Sequence, residues 1–225
     1  MSITYKALAA LLGYPTQELL QALPEIDSVI DRERALRARD RSALRKLLGE
    51  LSASDLLDAQ ERYVALFDRG RATSLHLFEH VHGESRDRGQ AMVDLKAMYA
   101  RAGLELTANE LPDYLPVLLE FLSLQPDEAT REVLADCAHI LRKVGEALVS
   151  RDSAYAAVFA AVLSLAGQRG LDSDPQPPTE REKSLDDEWF EDPVIFGPAA
   201  GSGCVAKPPA TAVLQFVPRE QAPRS

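Results

Sequence analysis

Cysteine is scarce in this chain of 225 residues, which contains only Cys137 and Cys204. The two thiols lie too far apart in sequence to form a local metal knuckle. A chain of this size is also not held together by so few cysteines. The composition therefore argues against a disulfide framework and against a paired-cysteine metal motif, and it suits a reducing cytosol.

Long hydrophobic runs are also missing. The apolar run near the N-terminus extends only from Leu8 to Leu12, whereas a membrane-spanning helix needs roughly 20 apolar residues. No basic region precedes this run, and no small-residue cleavage site follows it. We therefore expect a cytoplasmic protein that has neither an export signal nor a stable membrane association.

Positive charge is in deficit, because 25 lysines and arginines face 35 aspartates and glutamates, for a net charge of -10. Such a surface repels a phosphate backbone, so nucleic acid is not an expected partner. The same surface would favour a cationic ligand. Charge alone therefore selects against one class of partner without identifying another.

Helical periodicity is what the sequence has in abundance. Over residues 1–170, apolar side chains recur every three or four positions, which predicts helix after helix. Ser2 is expected to cap the first helix and Gly13 to end it, while Thr16 opens a second helix that Pro24 breaks or restarts. No comparable strand alternation appears. The predicted fold class is all-α, a single antiparallel helical bundle.

Further helix boundaries follow from the same signals. Asp40 and Asn109 are each expected to open a helix, and residues 75–78 to form a short one. Gly103 is expected to end another helix, and a break is expected near Asp152. One long helix is predicted from a single apolar stripe, formed by Leu134, Cys137, Leu141, Val144 and Leu148.

The composition changes sharply after Leu171. Residues 172–225 contain clustered prolines, an acidic stretch and a run of small residues. Such a segment buries too little apolar surface to offset its chain entropy, so we expect a largely disordered tail after a helical domain at 1–171. Trp189 and its aromatic neighbours could dock on the body or on a partner, or be incidental.

Three of the four histidines, His76, His80 and His82, fall in one polar stretch at 68–89. With the nearby carboxylates they could bind zinc or a redox metal. However, Glu79 directly precedes His80, which is not the metalloprotease spacing. A network of His, Glu and Arg side chains that holds a loop is the preferred interpretation, and no metal is predicted.

Other chemical patterns in this segment are weaker. Arg86 and Arg88 could contact a phosphate, but no strand-to-helix glycine-rich loop surrounds them, and Glu84 and Asp87 offer internal partners. Ser74 lies close to a histidine, yet nothing indicates a third catalytic group or an oxyanion hole. We therefore predict no catalytic residue.

A second distinctive stretch, residues 110–122, combines a strongly apolar helical pattern with two carboxylates, Asp113 and Glu120. A groove with apolar walls and acidic groups could receive an amphipathic, basic peptide helix. The alternative is a core helix whose acids face solvent. The residues by themselves do not decide between the two.

Together, these two stretches resemble the NarJ family. Its members are the molybdenum-cofactor assembly chaperones of respiratory nitrate reductase, within a wider TorD-like group. The resemblance is carried by LFDRG at 66–70, SLHLFEHVHGESRDRGQAM at 74–92, ELPDYLP at 110–116 and LEFL at 119–122. These motifs combine rare residue types in a fixed order, which makes the match specific.

The resemblance implies a single TorD-like helical domain that is not an enzyme and has no cofactor of its own. Family members bind the N-terminal region of the apo catalytic (alpha) subunit and keep it competent for molybdenum cofactor insertion and membrane assembly. They do not remain in the finished enzyme. In the wider group, histidine often follows the Pro-Asp motif, whereas Tyr114 stands here. A mechanism that needs an imidazole at that position is therefore not expected.

Two sets of site residues follow as expectations. A client-peptide groove is expected to be lined by Tyr63, Phe67, Phe78, Asp113, Tyr114 and Glu120. A polar loop, acting as a second client contact or as a scaffold, is expected to use Asp68, Arg69, His76, Glu79, His80, His82, Arg86 and Arg88. A helical metalloprotein and a general helical adaptor remain the alternatives.

Overall fold

The computed structural model describes residues 2–81, 86–106, 110–171 and 216–218. Across these ranges it contains nine α-helices: α1 (Ile3–Leu12), α2 (Gln17–Arg32), α3 (Ala38–Ala53), α4 (Leu56–Tyr63), α5 (Arg86–Arg101), α6 (Leu115–Ser123), α7 (Asp127–Asp136), α8 (Ala138–Val149) and α9 (Ala156–Leu165). A π-helical turn, Val64–Asp68, extends α4, and two 3-10 turns follow at Arg71–Thr73 and Leu77–His80. The predicted all-α class is confirmed.

One short pairing of strands was not expected from the sequence. β1 (Leu104–Leu106) pairs antiparallel with β2 (Phe216–Pro218). Each strand has three residues, which is too short for the period-2 alternation that identifies strands in a sequence. The rest of the predicted tail, residues 172–215 and 219–225, lies outside the described residues.

The centre of the molecule is made by α1, α6 and α9. Helix α1 packs against both of the others, and α6 is buried at every position except Glu120. Helices that are apolar all round belong inside a bundle, because no face is left for water. Among the described residues, no helix is both long enough and apolar enough to cross a membrane.

The first two helices begin where the sequence predicts. The side chains of Ser2 and Thr16 accept hydrogen bonds from backbone N–H groups in the first turn of α1 and of α2. The predicted break at Pro24 is wrong, because α2 runs through it without interruption. Buried side chains on both sides of the proline, Leu23 and Ile26, hold the helix against the core, and this packing outweighs one missing hydrogen bond.

Two other helix predictions need correction. Helix α3 begins at Ala38, so Asp40 does not cap it but lies buried in its first turn. The stripe through Cys137 belongs to two helices rather than one, because α7 ends at Asp136 and α8 begins at Ala138. Periodicity indicated which side chains face the core, but it could not detect the boundary between the two helices that carry them.

The helix predicted to open at Asn109 begins instead at Leu115, and Asn109 lies outside the described residues. Backbone hydrogen bonds explain why the helix starts at a later residue, since the Leu115 N–H donates to the Leu75 carbonyl at 2.9 Å. The Leu77 N–H donates to the Asp113 carbonyl at 3.1 Å. Pro116 then falls in the first turn, where it causes no kink because its missing N–H would have had no partner.

Candidate functional site

Residues 71–81 belong to the polar stretch at 68–89 and are attached to the N-terminus of α6. We call residues 71–81 the polar segment. The backbone bonds just described pair this segment with residues 113–115, and His76 forms an isolated antiparallel bridge with Tyr114. The predicted short helix at 75–78 is displaced by two residues, since the 3-10 turn spans Leu77–His80. The two stretches that looked distinctive in the sequence are therefore direct neighbours.

The buried side chain of Asp113 connects the polar segment to the start of α6. Its side chain is 0% exposed, and its Oδ2 accepts a hydrogen bond from the Phe78 N–H at 3.0 Å. Its Oδ1 lies 3.3 Å from Nδ1 of His76. A buried carboxylate is tolerated only where such partners replace water. We call Asp113, His76 and the Phe78 backbone the latch.

The latch affects the charge of His76. Its hydrogen bond to Asp113 raises the pKa of the imidazole, and this effect outweighs the opposing desolvation. Glu79 raises the same pKa further, while Arg88 lowers it. The ring also lies against Tyr114, with a centroid separation of 5.2 Å. The imidazolium form is therefore favoured by its surroundings.

A second group of contacts ties the polar segment to the start of α5. The Ser74 hydroxyl donates to Glu79 Oε2 at 2.6 Å, and Arg88 donates to Glu79 Oε1 at 3.3 Å. Nε2 of His80 lies 2.9 Å from the Ser74 carbonyl oxygen. These polar side chains bond to one another, which suits a scaffold.

An aromatic cluster lies behind the junction. The Tyr63 hydroxyl donates to the Leu12 carbonyl at 2.8 Å and lies 3.0 Å from the Tyr114 hydroxyl. The ring of Tyr63 is 4.8 Å from that of Phe67. Burial raises the pKa of both tyrosines, and that of Tyr114 reaches about 12. The phenols therefore stay neutral and act as hydrogen-bonding groups.

The expected groove residues do not line one surface. Tyr63, Phe67 and Asp113 are buried, whereas Phe78 and Tyr114 are half-buried beside the latch. Glu120 is half-buried on α6, and burial raises its pKa while Lys6 lowers it. Five of the six residues therefore lie in one region. Three of these five, Tyr63, Phe67 and Asp113, are buried and present no surface for a ligand to contact.

The other polar-loop residues are distributed around this region. Asp68 and Arg69 are exposed at the end of the π-helical turn, and His82 lies outside the described residues. Arg86 is the first residue of α5. Where the structure describes the chain, no three metal-ligating side chains are grouped together. His76 and His80 each contact a different protein group, and these contacts hold the loop in place.

The structure also contains a cleft of about 330 Å³ that the sequence did not predict. One of its lining residues, Tyr155, contacts the rings of Tyr63 and Phe67. The walls of the cleft come from α3, from α4 with the π-helical turn, and from the corner between α8 and α9. The lining residues are Leu47, Glu50, Leu51, Ala59, Arg62, Ala65, Leu66, Arg151, Asp152, Ser153, Ala154 and Tyr155. We call it the α3–α4 cleft.

The residues that line the cleft give only an ambiguous signal in the sequence. Leu47 and Leu51 repeat at helical spacing on α3, and the small residues Ala59 and Ala65 occur along the next helix and its turn. Small side chains leave room between helices, but periodicity alone cannot distinguish a packed alanine face from an open one. Only the tertiary arrangement reveals the gap.

Comparison with known proteins adds a family to this geometry. Residues 31–161 match the family model described as "Nitrate reductase delta subunit". The chain is 45% identical over 201 residues to the nitrate reductase molybdenum cofactor assembly chaperone NarJ of Escherichia coli strain K12. That match covers 86% of this chain and 84% of the relative.

Two further relatives have similar names. The probable nitrate reductase molybdenum cofactor assembly chaperone NarW of the same strain is 42% identical over 210 residues, which is 90% of this chain and 87% of NarW. The probable chaperone NarJ of Bacillus subtilis strain 168 is 36% identical over 165 residues, covering 72% of this chain and 87% of the relative. The similarity thus extends over most of each protein.

Proposed function

The chain belongs to the nitrate reductase delta subunit family, with the NarJ-type assembly chaperones, and from that premise we propose that it is a dedicated maturation chaperone of respiratory nitrate reductase. In this role it binds the N-terminal region of the apo catalytic subunit in the cytoplasm. It keeps that subunit competent for molybdenum cofactor insertion and prevents premature membrane attachment. It performs no catalysis and leaves before the enzyme is complete.

The observation that carries this proposal is the extent of the similarity. The chain is 45% identical, over 86% of its length, to a relative named as a molybdenum cofactor assembly chaperone. The matched region includes the polar segment and the start of α6. Fold alone would not support a function, because one helical bundle can serve many purposes. Here the site-forming residues are part of the matched sequence.

The physical properties of the chain support such a role. The net charge of -10 attracts a basic client segment and speeds its encounter with the chaperone. Binding only the unfinished subunit shifts that subunit toward its binding-competent state by mass action, which needs no covalent step. Release follows when cofactor insertion folds or hides the bound segment.

The expected client contacts can now be divided by their burial. Phe78, Tyr114 and Glu120 keep partly exposed side chains and are proposed to touch the client. Asp113 is proposed to position Phe78 and His76 rather than to touch the client itself, because it has no exposed surface. The buried aromatic rings behind them would keep this surface rigid.

The proposal is tested by deleting the gene in its own host. We expect nitrate reductase activity to fall together with the molybdenum content of the purified catalytic subunit, and both to return when the chain is supplied from a plasmid. Affinity-tagged chain should also recover the cofactor-free catalytic subunit and not the loaded one. Fully loaded enzyme in the deletion strain, with no second family member present, would contradict the proposal.

A further inference from the structure

The short strand β1 presents an edge on which another strand can pair. Leu104 is buried and Leu106 is half-buried against the core, whereas Glu105 between them is exposed. One face of β1 is therefore fixed to the body of the protein. The edge of such a strand carries backbone N–H and C=O groups, which pair readily with an extended segment that reaches them. β1 thus has the properties of a strand-docking site.

In this structure the edge of β1 is occupied by the chain's own C-terminal region. β2 pairs antiparallel with β1, and Val217 lies opposite Glu105 at the centre of the pair. The sequence suits this arrangement, because Phe216 and Val217 are residue types that are enriched in strands. Pro218 belongs on an edge strand, since it has no N–H to donate to a second neighbour.

The pairing is short enough to be reversible. Each strand contributes three residues, and within the described part of the chain the sheet has these two strands only. An isolated two-stranded ladder is marginally stable in water. Bringing β2 back to β1 also closes a long loop of chain, which costs entropy. We therefore expect the paired and unpaired states to exchange.

A tight turn couples β1 to α5. The Ala102 N–H donates to the Tyr99 carbonyl at 3.1 Å, and the Gly103 N–H donates to the Ala100 carbonyl at 2.9 Å. Gly103 has a φ of 77°, a left-handed conformation that favours glycine, and β1 begins at the next residue. With so few residues between them, a movement of β1 is transmitted to the last turn of α5.

Helix α5 has few buried contacts of its own. Among its described side chains only that of Tyr99 is buried, and the Tyr99 hydroxyl donates to the Pro112 carbonyl at 2.7 Å. At the other end of α5, Arg88 donates to Glu79 of the polar segment at 3.3 Å. A helix held by so few contacts opens locally at low free-energy cost. An additional contact at β1 should therefore change how often α5 opens.

We propose that the edge of β1 is a strand-docking site for the chain's own C-terminal segment, Phe216–Pro218, and that this pairing restrains α5 and, through it, the polar segment. We call the paired segment the strap. While the strap is paired, α5 and the contact between Arg88 and Glu79 are held against the body. When the strap leaves, β1 and α5 open more often and the polar segment loosens with them. This inference concerns the free chain and does not depend on the identity of a client.

A disulfide across the pair tests whether the strap is seated in this register. Opposite Cα atoms in an antiparallel pair are roughly 4.5–5.5 Å apart, within the roughly 4.4–6.8 Å that a disulfide spans. In the full chain with Cys137→Ser and Cys204→Ser, the pair Glu105→Cys with Val217→Cys should oxidise at least about tenfold faster than Glu105→Cys with Ala212→Cys. Equal rates would overturn the strap. Disulfide-linked dimers in place of closed monomers would do so too, because they would assign the edge of β1 to a second copy.

Hydrogen exchange of the full chain tests the coupling to α5. Phe216→Pro together with Val217→Pro removes both remaining backbone N–H groups of β2, and Ala212→Pro with Val213→Pro is the matched control outside the strand. The strap variant should speed exchange of the β1 and α5 amides by about threefold or more, and that of residues 71–81 by a smaller factor. The control variant should leave these rates unchanged, and neither variant should affect the α9 amides.

The disulfide provides the opposite perturbation. The chain with Glu105→Cys and Val217→Cys should exchange its β1 and α5 amides more slowly when oxidised than after reduction. If breaking and locking the strap both leave the α5 amides unchanged, the strap does not restrain the helix and the proposal is wrong. Control prolines that act as strongly as the strap prolines would also refute it. In either case the proposed chaperone function, which rests on other observations, would stand.

Discussion

The centre of the bundle and the region around α5 are held in opposite ways. In α6 every residue except Glu120 is buried, and most of α9 is buried as well. In α5, among the side chains that the structure describes, only that of Tyr99 is buried. Hydrophobic burial therefore holds the centre, whereas the polar segment next to α5 combines two buried leucines, Leu75 and Leu77, with several polar bonds that include the latch.

This difference suggests how stability and function are divided. Regions with few buried apolar contacts open locally at low free-energy cost, and binding surfaces are commonly drawn from them. A chaperone must release its client, so a rigid core beside a region that opens locally suits binding followed by release. The latch lies between the two regions, because it joins the start of α6 to the 3-10 turn that contacts α5.

The largest expected effect lies in the centre. Phe159 is 1% exposed on α9, and Phe159→Ala should lower the free energy of unfolding by about 3–5 kcal/mol, since it removes buried area and leaves a cavity. Val93, 60% exposed on α5, provides the contrast. Val93→Ala should change stability by less than about 0.5 kcal/mol. Urea unfolding followed by circular dichroism measures both, and similar losses would contradict the division into two regions.

A smaller effect on stability is expected at Gly70, which lies between the π-helical turn and the polar segment. A Cβ there would lie 2.6 Å from the Thr73 hydroxyl, 2.7 Å from an Arg151 nitrogen and 2.9 Å from the Leu66 carbonyl. Gly70→Ala should therefore destabilise by about 1–3 kcal/mol, because a backbone atom cannot move aside easily.

The matched control for this change is Gly49 in α3, where a Cβ would meet nothing within 4 Å. Gly49→Ala should stabilise the chain by about 0.5–1 kcal/mol through helix propensity. The same denaturant titration gives both values. A neutral Gly70→Ala would mean that the turn joining the π-helix to the polar segment can shift to admit a methyl group.

Much of the fold could be predicted from the sequence, because helix signals are local. Ser2 and Thr16 cap their helices as expected, and Asp152 lies at a break with φ of 51°. The errors occurred where packing decided the outcome. Pro24 is carried inside a helix by its buried neighbours, and Cys137 separates two helices that share one core face.

The candidate site was only partly predictable, for a related reason. The motifs identified which residues gather at the junction, including Asp113 and Tyr114, because they are distinctive along the chain. They did not show that Asp113 is fully buried and bonded to His76. Leu47 and Leu51 repeat at helical spacing, as core residues do, so the cleft beside them could be found only from the way α3, α4 and the α8–α9 corner meet.

The smallest expected effect is a pH dependence of the latch. Because Asp113 raises the pKa of His76 in the folded chain, the imidazolium contributes stability that is fully present below the ordinary histidine value of about 6.5. That contribution is lost as pH rises through the raised pKa. Glu79 and Arg88 also face the ring with opposite effects, so the change should be about 1 kcal/mol or less.

His76→Asn isolates this contribution, since its amide can still donate near the Nδ1 position but does not titrate. The wild-type chain should exceed the variant in stability by more at about pH 6 than at about pH 8. Hydrogen exchange of the amides in residues 71–81 should show the same trend locally, while the α9 amides should not change with the variant. A stability difference that is constant with pH would mean that the His76 charge does not hold the polar segment, leaving its backbone bonds to residues 113–115 as the connection.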